Sequence, residues 1–171
     1  MMAEMICMDS NLARRFSKIK LVITDVDGVL TDGGMYYTSK GDIMKRFFVR
    51  DGMGVTLLRK KNISTLIITK EKTEMTRQWA KKMKIAKLYE GIIQKELILA
   101  KICKNFGVRL DEIAYIGDDV NDLGLLKIVG LAVVPNDAIE EAKKICHYKC
   151  KTNSGHGAFR ELTDLILSEQ S

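Results

Sequence analysis

Residues 19–32, with the sequence IKLVITDVDGVLTD, carry the strongest structural signal in this chain. The run from Ile19 to Thr24 is apolar and rich in β-branched residues, which is typical of a strand buried on both faces of a sheet. Asp25, Asp27 and Gly28 follow it at once. A buried strand that ends in acidic residues and a tight turn predicts a parallel sheet with a ligand site at its carboxyl edge.

The rest of the chain alternates similar strands with helical segments. Apolar runs that predict strands lie at residues 63–69, 86–89, 113–117 and 131–134. Amphipathic stretches that predict helices lie near residues 52–61, 72–84, 94–105, 120–128, 136–144 and 158–167. Strands that alternate with helices imply right-handed βαβ units. The predicted fold class is therefore α/β, a Rossmann-like three-layer α/β/α parallel sheet.

One segment interrupts the alternation. Residues 33–49 place aromatic and apolar residues on both sides of a turn-like sequence, Ser39-Lys40-Gly41-Asp42. This pattern predicts a β-hairpin inserted after the first strand, too short to form a second domain. The chain has 171 residues, and domains contain roughly 150. We therefore expect one domain, residues 19–171, preceded by an N-terminal extension, residues 1–18.

The composition is that of a globular protein, with 46% hydrophobic and 29% charged residues. No apolar run approaches the roughly 20 residues that cross a bilayer, and the first residues show no signal-peptide pattern. The four cysteines are too few for a disulfide scaffold and fit a reducing compartment. We expect a cytoplasmic protein with no membrane partner.

The formal charge of +6 is concentrated on one segment. Residues 70–87 hold seven Lys and Arg and two Glu, within a pattern that predicts an amphipathic helix. Aromatic residues do not alternate with the lysines, and the chain has no nucleic-acid reader motif. A solvated basic face is therefore favoured over a nucleic-acid partner, although nucleic-acid binding through this helix is kept as an alternative function.

Six aspartates form two groups, each placed where a predicted strand ends. The groups are Asp25, Asp27 and Asp32, and Asp118, Asp119 and Asp122. The carboxyl ends of parallel strands meet at one edge of a sheet, so the two groups are expected to converge. Crowded carboxylates destabilise a fold unless a cation or protons neutralise them. An oxygen-only site of this kind suits Mg²⁺ together with a substrate phosphate.

Single aspartates also have structural explanations. Asp32 and Asp119 are equally typical of helix caps or turn residues. That explanation does not account for the pair Asp25 and Asp27, which alternation places on one side of the strand end. Such a pair offers a nucleophile and a separate acid/base.

Four motifs in register resemble those of the haloacid dehalogenase-like phosphohydrolases. The first is Asp25-Val26-Asp27-Gly28-Val29, and the fourth is Gly117-Asp118-Asp119-Val120-Asn121-Asp122. Between them, Thr69 ends a predicted strand and Lys95 opens a predicted helix. The resemblance covers residues 19–167.

The resemblance implies an aspartyl-phosphate mechanism with four catalytic residues. Asp25 would attack phosphorus, Asp27 would act as acid and then base, and Thr69 and Lys95 would hold the phosphoryl oxygens. Mg²⁺ would be bound by Asp25, the Asp27 backbone carbonyl and Asp118. The residues expected to support these metal ligands are Asp119 and Asp122. Phosphoryl transfer depends mainly on positioning and charge neutralisation, which this set supplies.

The spacing leaves no room for a cap domain, so the chain resembles a capless branch that acts on 3-deoxy-ulosonate phosphates. The residues similar to that branch are Thr31-Asp32-Gly33, Val49-Arg50-Asp51-Gly52 and Gly155 to Glu161. The branch implies a homotetramer in which neighbouring subunits close each other's sites. It also implies a phosphorylated sugar-acid substrate, with 3-deoxy-D-manno-octulosonate 8-phosphate favoured. The expected substrate-binding residues are Asp27, Arg50, Asp51, Gly52, Thr69 and Lys95.

Three positions depart from the octulosonate pattern. Lys70 and Glu71 stand where that branch usually has Gly and Arg, and His156 stands where it commonly has Arg. The Thr69–Glu74 sequence is closer to phosphatases of nine-carbon ulosonates, such as 2-keto-3-deoxynononate or N-acylneuraminate 9-phosphate, which is the alternative substrate class. The same fold also occurs as a non-catalytic oligomerisation domain of acylneuraminate cytidylyltransferases, which is a further alternative.

Overall fold

The computed structural model describes residues 9–170, which form a six-stranded sheet with helices on both faces and a separate two-stranded hairpin. The strands are β1 (Leu21–Thr24), β2 (Tyr36–Thr38), β3 (Gly41–Met44), β4 (Ser64–Thr69), β5 (Lys87–Glu90), β6 (Ile113–Ile116), β7 (Leu131–Val134) and β8 (Tyr148–Lys149). The helices are α1 (Ser10–Ser17), α2 (Val49–Lys60), α3 (Glu74–Met83), α4 (Leu99–Phe106), α5 (Leu123–Leu126), α6 (Glu140–Ile145) and α7 (Ala158–Glu169). The predicted fold class is confirmed.

The sheet is parallel throughout, in the order β5-β4-β1-β6-β7-β8. All four residues of β1 are buried, and their side chains alternate between two apolar layers. Val22 packs with α1, α2 and α7, whereas Leu21 and Ile23 pack with α4, α5 and α6. Each large aliphatic side chain buried in this way contributes roughly 1.5–3 kcal/mol, so the central strand is fixed from both sides.

The strand register aligns the carboxyl edge of the sheet. Thr24 pairs with Ile67 on β4 and with Ile116 on β6. The backbone N–H of Asp25 continues the ladder by donating to the Ile116 carbonyl at 3.1 Å. The residues that follow β1, β4 and β6 therefore reach one edge together, as the predicted parallel sheet required.

The hairpin is confirmed, but it is shorter than the predicted residues 33–49. Pairing ends at Met44, and the chain then packs against the main domain. The ring of Phe47 stacks on Trp79 of α3 with centroids 4.8 Å apart, and Phe48 is the residue before α2. The aromatic residues Phe47 and Phe48 favoured a longer strand. In the structure Phe47 packs against Trp79 instead of continuing the hairpin. Between β1 and α2 the described chain holds only this hairpin, which agrees with the predicted absence of a cap.

The N-terminal region contains a helix that the sequence pattern did not predict. In α1, Phe16 is fully buried in the core and touches the ring of Tyr148. Residues 1–8 of the predicted extension lie outside the described residues, and the extension as a unit stays a prediction. Within residues 9–170, no helix is both long and apolar enough to cross a membrane.

Candidate active site

A cavity of about 230 Å³ opens at the carboxyl edge of the sheet. Its walls come from the segments that follow β1, β4 and β6. The lining residues are Asp25, Asp27, Thr69, Lys70, Glu71, Asp118, Asp119, Val120 and Asn121. Members of both groups of aspartates therefore converge, although Asp32 does not line the cavity. Thr69, which is buried at the end of β4, joins them.

Asp25 is held from two directions at the floor of this cavity. Its Oδ1 accepts the Val26 N–H at 2.7 Å, and its Oδ2 pairs with Lys95 Nζ at 2.7 Å. Burial raises the pKa of Asp25 to about 7, and the charge of Lys95 limits that rise. Burial opposes the charge of Lys95, but Asp25 and Asp122 outweigh it and raise the lysine pKa. Lys95 is thus a fixed positive charge beside Asp25.

Asp122 links Lys95 to the loop after β6. Its Oδ1 accepts hydrogen bonds from Lys95 Nζ at 2.6 Å and from the Tyr115 hydroxyl at 2.5 Å. Its Oδ2 accepts the backbone N–H groups of Asp118 and Asp119 at 2.8 and 3.2 Å. All hydrogen-bonding capacity of this buried carboxylate serves to fix the lysine and the loop.

Tyr115 was not predicted as a site residue. It is fully buried on β6, where burial and the nearby charge of Asp122 raise its pKa well above the ordinary value, so it stays a hydroxyl donor. A sequence signal existed, because a phenol in the middle of an aliphatic strand needs a buried hydrogen-bond partner. The pattern does not identify that partner, Asp122, which follows seven residues later in the loop after β6.

The Asp118 carboxylate packs directly against the loop after β1. Gly28 has φ +82°, and a Cβ at this position would lie 2.0 Å from Asp118 Oδ2. Only glycine therefore lets the two loops approach each other this closely. Burial, reinforced by Asp122 and Asp25, raises the pKa of Asp118 to about 8, and its buried Oδ1 has no hydrogen-bond partner among the described residues.

This donor set fits a hard divalent cation. One oxygen from each of Asp25, Asp118 and Asp122 lies within 4.8 Å of the others. A cation would relieve the repulsion between these carboxylates and would give the Asp118 oxygen the partner that the protein does not supply. Because Asp122 already binds Lys95 and two backbone amides, Asp25 and Asp118 are the better direct ligands.

Asp27 has two unlike oxygens. Oδ1 accepts from Lys45 Nζ at 2.5 Å and from Thr31 Oγ1 at 3.2 Å. Oδ2 is buried and has no partner among the described residues. Lys45 was not predicted as a site residue. The only signal in the sequence is the dibasic pair Lys45-Arg46 between the apolar residues Ile43-Met44 and Phe47-Phe48.

Comparison with known proteins agrees with this geometry. The family model for haloacid dehalogenase-like hydrolases matches residues 53–162. The chain belongs to the haloacid dehalogenase-like hydrolases. The prediction that it is an enzyme of this class is confirmed.

Relatives within the haloacid dehalogenase-like hydrolases match almost the whole chain. The 3-deoxy-D-manno-octulosonate 8-phosphate phosphatase KdsC of Haemophilus influenzae is 35% identical over 159 residues, covering 93% of this chain and 88% of that protein. The crystal structure of the Moraxella catarrhalis phosphatase of the same name contains magnesium, phosphate and the sugar acid, and matches with a TM-score of 0.91 at 33% identity over 95% of this chain and 94% of that one. A cobalt-bound Haemophilus influenzae structure has a TM-score of 0.89 at 36% identity and covers 91% of each chain.

Some residues predicted to bind substrate lie outside the cavity. Asp51 is buried at the start of α2, where its Oδ1 accepts the Arg160 N–H at 2.8 Å. Gly52 is buried against Met83. Arg50 is exposed and lines a separate surface cavity. Their role in substrate binding stays a prediction.

The two remaining aspartates, Asp119 and Asp32, act as a capping residue and a turn residue. Asp119 is exposed and caps the turn at residues 120–122 by accepting the Val120 N–H at 2.7 Å, so the capping explanation applies to it. Asp32 pairs with Arg46 at 3.5 Å and accepts the Gly34 N–H at 3.0 Å, as a turn residue does.

Proposed function

We propose that this chain is a Mg²⁺-dependent phosphatase that hydrolyses the phosphate monoester of 3-deoxy-D-manno-octulosonate 8-phosphate. The observation that carries the proposal is the cavity in which Asp25, Asp27, Thr69 and Asp118 meet, with Lys95 paired to Asp25. The relatives named for this reaction match nearly the full chain, and one of their structures holds magnesium, phosphate and the sugar acid.

Asp25 is the proposed nucleophile. Its carboxylate is fixed by the Val26 N–H and by Lys95, so it needs little reorganisation to attack phosphorus in line. Thr69, which lines the cavity, would hold a phosphoryl oxygen. Lys95 is fully buried against Asp25, so its charge would offset that of Asp25 and of the phosphoryl group. The product of this half-reaction is an aspartyl phosphate with the sugar acid as leaving group.

Asp27 is the proposed acid/base. It lies two residues after Asp25 and lines the same cavity. It would protonate the leaving sugar oxygen in the first half-reaction and take a proton from the attacking water in the second. One carboxyl group thereby serves both halves, because the first step leaves it ionised.

Mg²⁺ would be held by Asp25, the Asp27 backbone carbonyl and Asp118, and when bound it supplies charge neutralisation at the transferring phosphoryl group. Among the described residues, the buried Asp118 Oδ1 has no hydrogen-bond partner, and a bound Mg²⁺ would supply one. The contribution of Asp122 is to orient Asp118 and Lys95 through its hydrogen bonds.

The decisive experiment replaces the nucleophile. Asp25→Asn should lower phosphate release from octulosonate 8-phosphate by about three orders of magnitude or more, because the amide cannot attack phosphorus. Removal of divalent cations should abolish activity of the wild type, and added Mg²⁺ should restore it. A matched thermal melt of both proteins controls for folding. An Asp25→Asn protein as active as wild type would overturn the mechanism.

A nine-carbon ulosonate 9-phosphate is the second candidate substrate. Lys70 and Glu71 line the cavity, so the positions that depart from the octulosonate pattern are placed where they can contact the substrate. A phosphate-release panel should compare octulosonate 8-phosphate, 2-keto-3-deoxynononate 9-phosphate and N-acetylneuraminate 9-phosphate by kcat/KM. The highest value identifies the substrate. No turnover of any of the three, with capture of a cytidylyltransferase, would favour the non-catalytic alternative.

A homotetramer is proposed on the exposed apolar residues of the hairpin. Met35, Tyr37 and Ile43 are 70%, 60% and 59% exposed, and Val49 at the start of α2 is 81% exposed. Apolar side chains grouped in this way favour an interface with other copies of the chain. A neighbouring hairpin would also cover the cavity of this capless domain.

A further inference from the structure

Lys45 reaches from the hairpin into the active site of its own chain. Its hairpin neighbours Ile43 and Met44 are 59% and 48% exposed, whereas the side chain of Lys45 is only 9% exposed. Its Nζ donates to Asp27 Oδ1 at 2.5 Å. A lysine is rarely buried without a charged partner, so this contact is a specific feature of the site.

The pair leaves the two oxygens of Asp27 in different states. Thr31 Oγ1 also donates to Oδ1, at 3.2 Å, so that oxygen is occupied on two sides. Oδ2 is buried without a hydrogen-bond partner among the described residues, and Asp27 lines the cavity. A buried oxygen without a partner costs free energy in the resting protein, which is expected where a substrate group supplies the partner.

The segment that carries Lys45 is anchored to the domain. Arg46 donates to the Gly155 carbonyl at 3.1 Å and pairs with Asp32 at 3.5 Å. Phe47 stacks on Trp79. Contacts with two loops and one helix fix the backbone on the C-terminal side of Lys45. The ammonium group is therefore presented to Asp27 by a fixed segment of the hairpin.

We propose that Lys45 is a positioning residue for Asp27, an inference that rests on the proposed phosphatase function. Together with Thr31 it holds Oδ1, so that Oδ2 is the oxygen that transfers the proton. In the first half-reaction the bond from Asp25 to phosphorus forms, the phosphorus–sugar oxygen bond breaks, and the Oδ2 proton passes to that sugar oxygen. In the second, water attacks phosphorus, its proton passes to Oδ2, and the bond to Asp25 breaks.

The test compares two leaving groups in the full-length protein. Lys45→Met should lower kcat/KM for octulosonate 8-phosphate by about 30-fold or more, because an alkoxide leaving group needs the acid. It should lower kcat/KM for p-nitrophenyl phosphate less than about threefold, because nitrophenolate leaves without a proton. The loss for the sugar phosphate should fall on kcat and leave KM unchanged. Lys45→Arg should restore part of it, and Lys104→Met, at an exposed site on α4, is the matched control.

Two kinetic outcomes would overturn the proposal. An equal loss for both substrates makes Lys45 a structural or general electrostatic residue. A rise in KM alone makes it a direct substrate contact. If the wild type releases phosphate from neither substrate, the proposed function is wrong, and a crystal structure of Lys45→Met then tests positioning alone. The Asp27 carboxylate should move by about 1 Å or more, a displacement large enough to matter for proton transfer. An unmoved carboxylate would contradict the inference.

Discussion

At the scale of single residues, the hydroxyl of Tyr115 makes a testable contribution to the charge network behind Asp25, the proposed nucleophile. Tyr115→Phe removes the donor at 2.5 Å from Asp122 Oδ1 and leaves the pair between Asp122 and Lys95. A hydrogen bond to a charged group is worth roughly 1.5–3 kcal/mol, so the free energy of unfolding should fall by about that amount. We also expect kcat to fall several-fold because Lys95 loses one restraint. Urea unfolding and steady-state kinetics check both.

The control for this substitution is Tyr89→Phe, on β5 and outside the Asp122 network. Tyr89→Phe should lower the free energy of unfolding and kcat by less than Tyr115→Phe does. If Tyr115→Phe unfolds at the wild-type urea concentration and retains full kcat, the hydroxyl has no role in holding Lys95.

Gly28 gives a second prediction at this scale. Gly28→Ala places a Cβ 2.0 Å from Asp118 Oδ2 and strains a backbone with φ +82°. Backbone strain of this kind costs of order 1–3 kcal/mol, and displacement of Asp118 should lower kcat by about 100-fold. Gly107→Ala separates the two effects, because Gly107 has φ +63° and no atom within 4 Å of an added Cβ. Stability should fall in both variants and kcat only in the first, and a fully active Gly28→Ala protein would refute the predicted clash.

The sequence predicted most of the residues that meet in the candidate site but not the residues that support them. Asp25, Thr69 and Asp118 could be predicted because each follows or ends a strand, and parallel strands bring their ends together. The importance of Lys95 depended on its order among the motifs. Tyr115 and Lys45 were missed because the folded loops set their partners. Asp122 lies seven residues after Tyr115 and Asp27 lies 18 residues before Lys45, and local periodicity carries no information about either contact.

At the scale of elements, Asp51 couples α2 to α7. Burial raises its pKa to about 7, although the Arg160 N–H and the charges of Arg160 and His156 oppose the rise. In the unfolded chain the pKa is about 3.9, so between about pH 4 and pH 7 the folded state binds more protons than the unfolded state. The contribution of Asp51 to the free energy of unfolding must therefore fall as pH rises through that window, and change little above pH 7.

Asp51→Asn tests this sign. The amide oxygen can still accept the Arg160 N–H, but the side chain no longer ionises. Between pH 5 and pH 8 the wild type should lose more than about 1 kcal/mol of unfolding free energy relative to the variant. Urea titrations of both proteins at each pH measure the difference, in which other titrating groups cancel. Parallel curves for the two proteins would show that Asp51 is ionised in the folded state throughout.

Element boundaries show where sequence patterns stop being informative. The four central strands were predicted within one or two residues because both faces are buried and the apolar runs are continuous. The hairpin was predicted too long because Phe47 packs on Trp79, a tertiary contact. Helix α1 was missed because it is short and only Phe16 is fully buried, with Leu12 partly buried against the same core.

At the scale of the whole molecule, the segment that carries most of the positive charge lies close to the cavity. The basic segment at residues 70–87 begins next to Thr69 and at the cavity, and the site itself is acidic. The formal charge of +6 is therefore compatible with a small anionic substrate, because surface lysines attract an anion and raise its local concentration. The buried carboxylates of the site would be neutralised by a bound cation. A nucleic-acid partner is not required to explain the excess.

The exposed hairpin carries the last prediction, which concerns assembly. Ile43→Lys places a charge within the apolar surface formed by Met35, Tyr37 and Ile43, so it should dissociate the proposed tetramer because a buried unpaired charge disfavours the interface. Light scattering coupled to size-exclusion chromatography should give a tetramer for the wild type and a smaller species for the variant, with kcat/KM reduced because the cavity loses its cover. Leu110→Lys is the matched control, since Leu110 is 44% exposed and precedes β6 at the opposite edge of the sheet. A monomeric wild type with full activity would show that the hairpin serves its own subunit alone, through Lys45.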